Sequence, residues 1–315
     1  MLLIILATYT LAASDDGVQP AAHALRKGQD AQVILAKMKE SRDLLKSGSY
    51  RASGRVTTNR RSMGEHLPGS VTIFSAFDCD KALLRFDRTQ PVTRGFAGDQ
   101  FTYQETIKYI RTAELAVTWL SPWEHKNARR ETAVGIYPPT LKPPLGLTPI
   151  DVRSLGLCLW DDFKAGMSFE ACCDIWENHT LINVVPEANG IYRLRLERAG
   201  RRSAYVPQTL WVDENQGFSP VRLSYVVPGS EPTEPEQLLS ECQVRWKKEA
   251  GAWVPASLRF ERRVRGHIND FYSLTFDWIS VNKPAEPKLF TPDGLDVPAG
   301  TRVEDQRGGV PRKVR

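Results

Sequence analysis

FYSLTFDWISVN, residues 271–282, is the stretch that decides the fold. Tyr272, Leu274, Phe276 and Trp278 alternate with Ser273, Thr275 and Asp277. Successive side chains of a β-strand point to opposite faces, so this strand has one apolar and one polar face. After Trp278 the apolar residues are Ile279 and Val281. A slip of one residue exchanges the faces, which predicts a bulge or sharp coil near Trp278–Ile279.

The same alternation recurs along the chain. Tyr192, Leu194 and Leu196 oppose Arg193, Arg195 and Glu197. Leu258 and Phe260 oppose Ser257, Arg259 and Glu261, and Val244 and Trp246 share a face with Cys242. Ala82, Leu84 and Phe86 oppose Lys81, Arg85 and Asp87. Strands are expected in SYRASGRVTT, VTIFSAFD, KALLRFDR, QFTYQETI and YIRTAELAVTWL. A second series runs TLINVVPE, GIYRLRLER, AYVPQTLWVD, SPVRLSYVV, LLSECQVRWKK, AWVPASLRFERRV and INDFYSLTFDWISVN. Their spacing of roughly ten residues is that of an antiparallel meander or barrel. A sheet with one apolar face must bury it, and the other face is expected to be wet.

Two stretches break the period of two. DAQVILAKMKESRDLLKSGS reads as one helix with Asp30 as its cap. Its apolar stripe is Ala31, Ile34, Leu35, Met38, Leu44 and Leu45, interrupted at Arg42, and Gly48 stops it. Phe169, Cys172, Cys173 and Trp176 repeat at helical spacing behind Ser168, predicting one or two short helices between 155 and 178. Before them, YPPTLKPPLGLTP (137–149) carries five prolines and reads as a loop.

The chain has 315 residues, 41% hydrophobic and 25% charged, which suits a globular protein with a sizeable core. Its net charge of +5 is mild, and nucleic acid is not expected as a partner. Residues 2–13 are apolar apart from Tyr9 and two Thr, too short to span a bilayer. With Ala12-Ala13-Ser14 they read as a secretory signal over 1–14, although the usual preceding positive charge is missing. The alternative is a buried N-terminal strand. Residues 15–29 read as a linker and 293–315 as a C-terminal tail, its end basic and rich in Gly. The five cysteines are odd in number. Cys158 with Cys172 or Cys173 is the expected pair if a disulfide forms, with small buried thiols as the alternative.

The element order resembles the LolA-like lipoprotein-carrier superfamily over residues 30–292, with 137–178 as an elaboration. LWVDENQGFSPVRLSY looks like its strand–turn–strand, with Asp213 and Gly217 at the turn. VRWKKEAGAWVPASLRF looks like its hairpin ending in Val254-Pro255. ISVNKPAEPKLFTP looks like its closing segment, with Asn282, Phe290 and Pro292. The resemblance implies a mainly β fold with α: a curved antiparallel incomplete β-barrel plugged by a few helices. It implies a periplasmic or cell-envelope binder or carrier of lipid, acyl chain or lipoprotein. The lining would be Leu84, Phe86, Tyr192, Leu194, Leu196, Trp246, Leu258, Phe260, Tyr272, Leu274, Phe276 and Trp278. Partners would be an acyl chain and a membrane-surface or protein receptor. The family's lipoprotein-handling arginine has no matching position, so lipoprotein transfer itself is not implied. The competing reading is an exported scaffold or sensor whose hollow is filled by its own side chains.

Catalytic and cofactor motifs are missing from the sequence. It has no GxxxxGK, no GxGxxG after a strand and no HExxH, and GMSFE departs from GxSxG at Glu170. His23, His66, His125, His179 and His267 lack metal-ligand spacing. Asp161-Asp162 reads as a helix-start charge pair. Arg201-Arg202 and Arg262-Arg263 read as solvated, with an anionic membrane surface as the alternative. No cofactor, metal or catalytic residue is expected.

Overall fold

The computed structural model describes residues 29–59, 66–96, 99–125, 128–140, 151–158, 168–177, 182–196, 208–227, 237–264, 266–307 and 312–314. The expected signal, nearly all of the linker, most of the Pro-rich loop, Asp161-Asp162 and Arg201-Arg202 lie outside them.

The chain opens with helix α1 (Gln29–Asp43) and then runs through β1 (Ser47–Asn59), β2 (His66–Asp78), β3 (Leu83–Phe96) and β4 (Asp99–Arg111). Shorter strands follow: β5 (Ala116–Leu120), the hairpin β6 (Trp123–His125) and β7 (Ala128–Arg130), and β8 (Ala133–Tyr137). After a short 3₁₀ turn, Val152–Ser154, comes helix α2 (Phe169–Glu177). The second series is β9 (Ile182–Pro186), β10 (Ile191–Leu196), β11 (Gln208–Asp213), β12 (Ser219–Val227), β13 (Gln237–Glu249), β14 (Ala252–Val264) and β15 (His267–Val281). Two more strands, β16 (Arg302–Asp305) and β17 (Arg312–Val314), end the chain.

Among the described residues one fifteen-stranded sheet has the order β17-β16-β8-β5-β4-β3-β2-β1-β15-β14-β13-β12-β11-β10-β9. Every pair is antiparallel except β16 with β8. β15 returns to pair with β1, so the two meanders are joined edge to edge into one curved sheet that does not close. The fold class read from the sequence is the one observed.

Curvature comes from extra residues in the ladders. Pairing passes from Tyr50↔Trp278 to Ser49↔Ser280, leaving Ile279 as the extra residue. This is the bulge expected at Trp278–Ile279. Its outcome is specific: Ile279 is exposed while Val281 returns to the core. Similar shifts leave Val221 unpaired between β11 and β12, and Ala256 between β13 and β14. Each bulge bends its strand and increases twist. At Gly54 the strands approach so closely that a Cβ would lie 1.7 Å from the Ser273 carbonyl oxygen. Only glycine fits there.

Helix α1 buries Ala31, Ile34, Leu35 and Met38 in the hollow of the sheet, against β9, β12 and β14. Several expectations for it need correction. Asp30 lies inside the first turn, where a carboxylate still favours the helix dipole, and is not the cap. Leu44 is exposed, because the helix ends at Asp43 and the chain turns. Gly48 lies in β1 rather than at the helix end. Arg42 does not interrupt the stripe but continues it, with 1% exposure. In α2, Ser168 caps as expected: its Oγ accepts the Ala171 N–H at 3.1 Å. Phe169, Cys172, Cys173 and Trp176 all face inward.

The outer face is not wet throughout. Ala76, Ile110, Val117, Trp119 and Val134 form a second apolar cluster on the outside, capped by Phe290 and Leu295 of the C-terminal segment. Arg85, expected on a solvated face, is buried there between Asp87 and the Gly294 carbonyl. Residues 293–315, expected as a tail, place Leu295 in this cluster and β16 and β17 at the sheet edge.

Candidate functional site

The turns that close the strands aim the inner face. Asp213 accepts the Asn215 N–H at 2.9 Å and the Gln216 side-chain amide at 2.7 Å, and Gly217 follows at φ 66°. This is the turn expected at Asp213 and Gly217. Asn282, at φ 52°, accepts the Lys46 N–H at 2.9 Å and donates to the Leu44 carbonyl at 2.7 Å. It therefore ties the end of β15 to the exit of α1. Phe290 is buried, and Pro292 opens the following turn.

All twelve residues expected to line the hollow belong to one apolar cluster. Phe86, Leu194, Leu196, Trp246, Leu258, Phe260, Tyr272, Leu274, Phe276 and Trp278 are buried. Leu84 and Tyr192 are half-buried against them. Tyr192 stands at the rim: its hydroxyl donates to Glu214 at 2.9 Å and its ring stacks at 6.3 Å on Phe218.

Two tryptophans anchor this lining to the bulges. Trp278 Nε1 donates to the Pro255 carbonyl at 2.9 Å, and Trp246 Nε1 to the Pro220 carbonyl at 2.8 Å. Both prolines sit beside an extra residue, where the ladder leaves a carbonyl turned inward. A buried indole needs an acceptor and a buried carbonyl needs a donor, so each satisfies the other.

Several members of the cluster were not legible beforehand. Tyr50 packs at 5.4 Å on Phe276 and at 5.1 Å on Trp278, and Phe77 meets Trp278 edge-on at 6.3 Å. The signal was present: Tyr50, Ala52, Gly54 and Val56 alternate, but two of the four are small and the face looks weak. Burial pushes the Tyr50 hydroxyl pKa well above its ordinary value.

The plug carries two buried arginines. Arg42 donates to the Trp253 carbonyl at 3.3 Å and to Ser219 Oγ, with its guanidinium 3.9 Å from the Trp246 ring centre. Burial lowers its pKa well below the ordinary guanidinium value, to about 9. Arg153 sits in the turn before α2. It bonds both oxygens of Asp151, at 3.1 and 2.7 Å, and lies 3.8 Å from Asp43 and 3.6 Å from Glu170. Burial works against its charge and is the largest single influence, but the bonds and charge of Asp151 together with the nearby Cys79 and Glu170 outweigh it and raise the pKa. Arg153 thus joins α1, the 3₁₀ turn and α2 into one plug.

The expected disulfide is not formed. All five cysteines are free thiols. Cys158 directs its Sγ to the Ser154 carbonyl at 3.8 Å, while Cys172 and Cys173 pack in the plug. The alternative reading, small buried side chains, is the one observed, with Cys79 only half-buried. Among the described residues no group of three His, Cys, Asp or Glu side chains is placed to hold a metal. No helix among them is long and apolar enough to cross a membrane.

No family model matches the chain, and no curated protein matches it in sequence. In fold it is similar to a DUF1329 family protein from Desulfovibrio piger, at 14% identity and a TM-score of 0.44 over 86% of this chain and 99% of that one. It is also similar to a LolA superfamily protein from Nitrosomonas europaea, at 13% identity and TM-score 0.38 over 84% and 99%. A domain from Vibrio parahaemolyticus assigned to outer membrane lipoprotein sorting is similar at 12% identity and TM-score 0.39, over the same shares. The unclosed antiparallel sheet with helices in its hollow is the arrangement expected from the order of the strands.

Proposed function

We propose that this protein is an exported, non-enzymatic carrier that holds an acyl chain of a lipid or lipoprotein in the hollow of its sheet. Its place of work would be the periplasm or cell envelope. The observation that supports this reading is one continuous apolar inner face running across both meanders. It is stoppered by two short helices whose seat includes a desolvated charge. A buried guanidinium without a carboxylate partner costs free energy that an apolar residue would not. Among the described residues Arg42 has only carbonyl, hydroxyl and ring partners. The plug is therefore held less firmly than its apolar area alone would hold it. An entering chain contributes about 0.8 kcal/mol for each methylene it buries, which offsets the displaced helix contacts.

A second reading is favoured by one observation. The twelve lining residues are already covered by protein, ten of them buried. A scaffold or sensor with a self-filled hollow would look the same.

The experiment separating them begins with protein purified without detergent. Extraction with organic solvent should release stoichiometric lipid, and the stripped protein should take up a fluorescent fatty acid. Trp278→Asp should abolish uptake while the far-UV spectrum stays unchanged. A well-folded protein that carries and takes up no lipid leaves the scaffold reading standing.

A further inference from the structure

The convex face of β10–β15 and β1 carries a pattern that the hollow does not use. Strand register aligns its outward residues in rows across the sheet. One row reads Arg193, Trp211, Arg222, Gln243, Arg259, Ser273, Arg55. The next reads Arg195, Thr209, Ser224, Glu241, Glu261, Phe271, Thr57. Beyond the first, on its other side, lie Arg245, Ser257, Thr275 and Ser53, then Asp277 and Arg51. These rows hold seven arginines and three carboxylates, and the lysine that follows on the same face of β13, Lys247, is paired with Glu249 at 2.9 Å.

The carboxylates are largely spent within the sheet. Glu241 and Glu261 lie directly opposite each other, a repulsive pairing, and both are buried. Arg222 reaches Glu241 at 3.1 Å, while Arg259 and Arg263 reach Glu261 at 3.5 and 2.8 Å. Arg51, Arg55 and Arg245 are exposed and form no ion pair among the described residues.

We propose that this convex arginine face docks the protein on an anionic lipid surface. The choice of arginine points to phosphate: its planar fork binds phosphate oxygens in pairs, whereas lysine is a point charge. A sheet that reads single-stranded nucleic acid needs bare aromatic faces for the bases. Here both aromatics are capped, Trp211 by Arg222 at 4.5 Å and Phe271 by Arg259 at 5.5 Å. The lipid assignment rests in part on the carrier reading, since a carrier must meet a membrane; the docking itself does not need the hollow.

The test is co-sedimentation with vesicles of phosphatidylcholine alone and of phosphatidylcholine with phosphatidylglycerol. Binding is expected only to the second. Raising salt from about 0.1 M to about 1 M shortens the screening length from about 10 to about 3 Å and should release the protein. Each exposed arginine removed should weaken binding about five-fold. The triple variant Arg51→Gln, Arg55→Gln, Arg245→Gln should therefore lose about a hundred-fold. Its melting temperature and fatty-acid uptake should match the wild type. Equal binding to both vesicles, or full binding by the triple variant, overturns the proposal. Tighter binding to single-stranded RNA than to anionic vesicles overturns the lipid assignment. A wild-type protein that docks but takes up no fatty acid supports the docking face and overturns the carrier reading instead.

Discussion

Trp278 on β15 and Pro255 on β14 are joined by an indole N–H that donates to the proline carbonyl at 2.9 Å, inside the apolar hollow. The bond closes the gap that a strand proline opens beside a bulge, and Trp246 repeats it with Pro220. The bending of the sheet and the aromatic lining of its hollow are thus one feature.

Trp278→Phe keeps an aromatic ring but strands the Pro255 carbonyl. A buried acceptor left without a donor costs about 1–3 kcal/mol, and the lost ring volume adds to that. Denaturant melts should show the midpoint falling with the slope unchanged. A variant as stable as the wild type would mean that the carbonyl is reached by water.

Leu274 and Phe276 are 2% and 5% exposed and packed on all sides. Leu274→Ala should cost about 2–5 kcal/mol and Phe276→Ala about 3–5 kcal/mol. Urea unfolding of lipid-free protein measures both. Costs well below 1 kcal/mol would place these side chains in an open cavity instead.

Arg42→Met replaces a desolvated charge by an apolar chain of similar length. Exchanging buried ionic groups for apolar ones is often neutral or stabilising, by about 1–4 kcal/mol. Arg42→Met should melt no lower than the wild type and take up fatty acid more slowly, because the plug is held more firmly. Arg42→Ala should melt lower, having lost the packing on Trp246. Stopped-flow uptake beside calorimetry reads both effects.

The thiols differ in reach. Burial pushes Cys242 and Cys173 up to about 12 and the half-buried Cys79 to about 11. At pH 8 an alkylating reagent should modify Cys79 first and the others only in denaturant, as intact mass will show. Their ordinary value is 9.0, so the folded chain keeps protons that the unfolded chain releases. That contribution is fully present below about pH 9 and is lost as pH rises through 11–12. Arg42, whose folded value is lowered, acts in the opposite sense above about pH 9. The comparison to make is therefore between wild type and Cys242→Ala over pH 8–11, where the variant should lose less stability.

The local patterns were legible because they depend on neighbours in sequence. Alternation in Tyr272–Trp278 set the strand and its inner face, and the slip at Ile279 set the bulge, since a period of two admits no other way to seat both Trp278 and Val281. Ser168 was legible as a cap because its side chain bonds a backbone N–H only three residues on. The turn at Asp213 and Gly217, expected from the family resemblance, is equally local, with an Asp213 side-chain bond two residues on and Gly217 at φ 66°.

What the sequence alone could not decide depends on contacts far apart in the chain. Arg42 looked like a break in an apolar stripe, yet its charge finds partners 177 and 211 residues away. Arg85 looked solvated until the C-terminal segment covered it, its carbonyl partner lying 209 residues on. The convex arginine rows exist only once β10–β15 and β1 are paired in register, because no helix or strand carries more than two of them. Alternation tells each strand which side is in. Only the pairing of strands and the seating of the plug decide what stands on each side, because long-range packing sets burial and burial sets the cost of every charge.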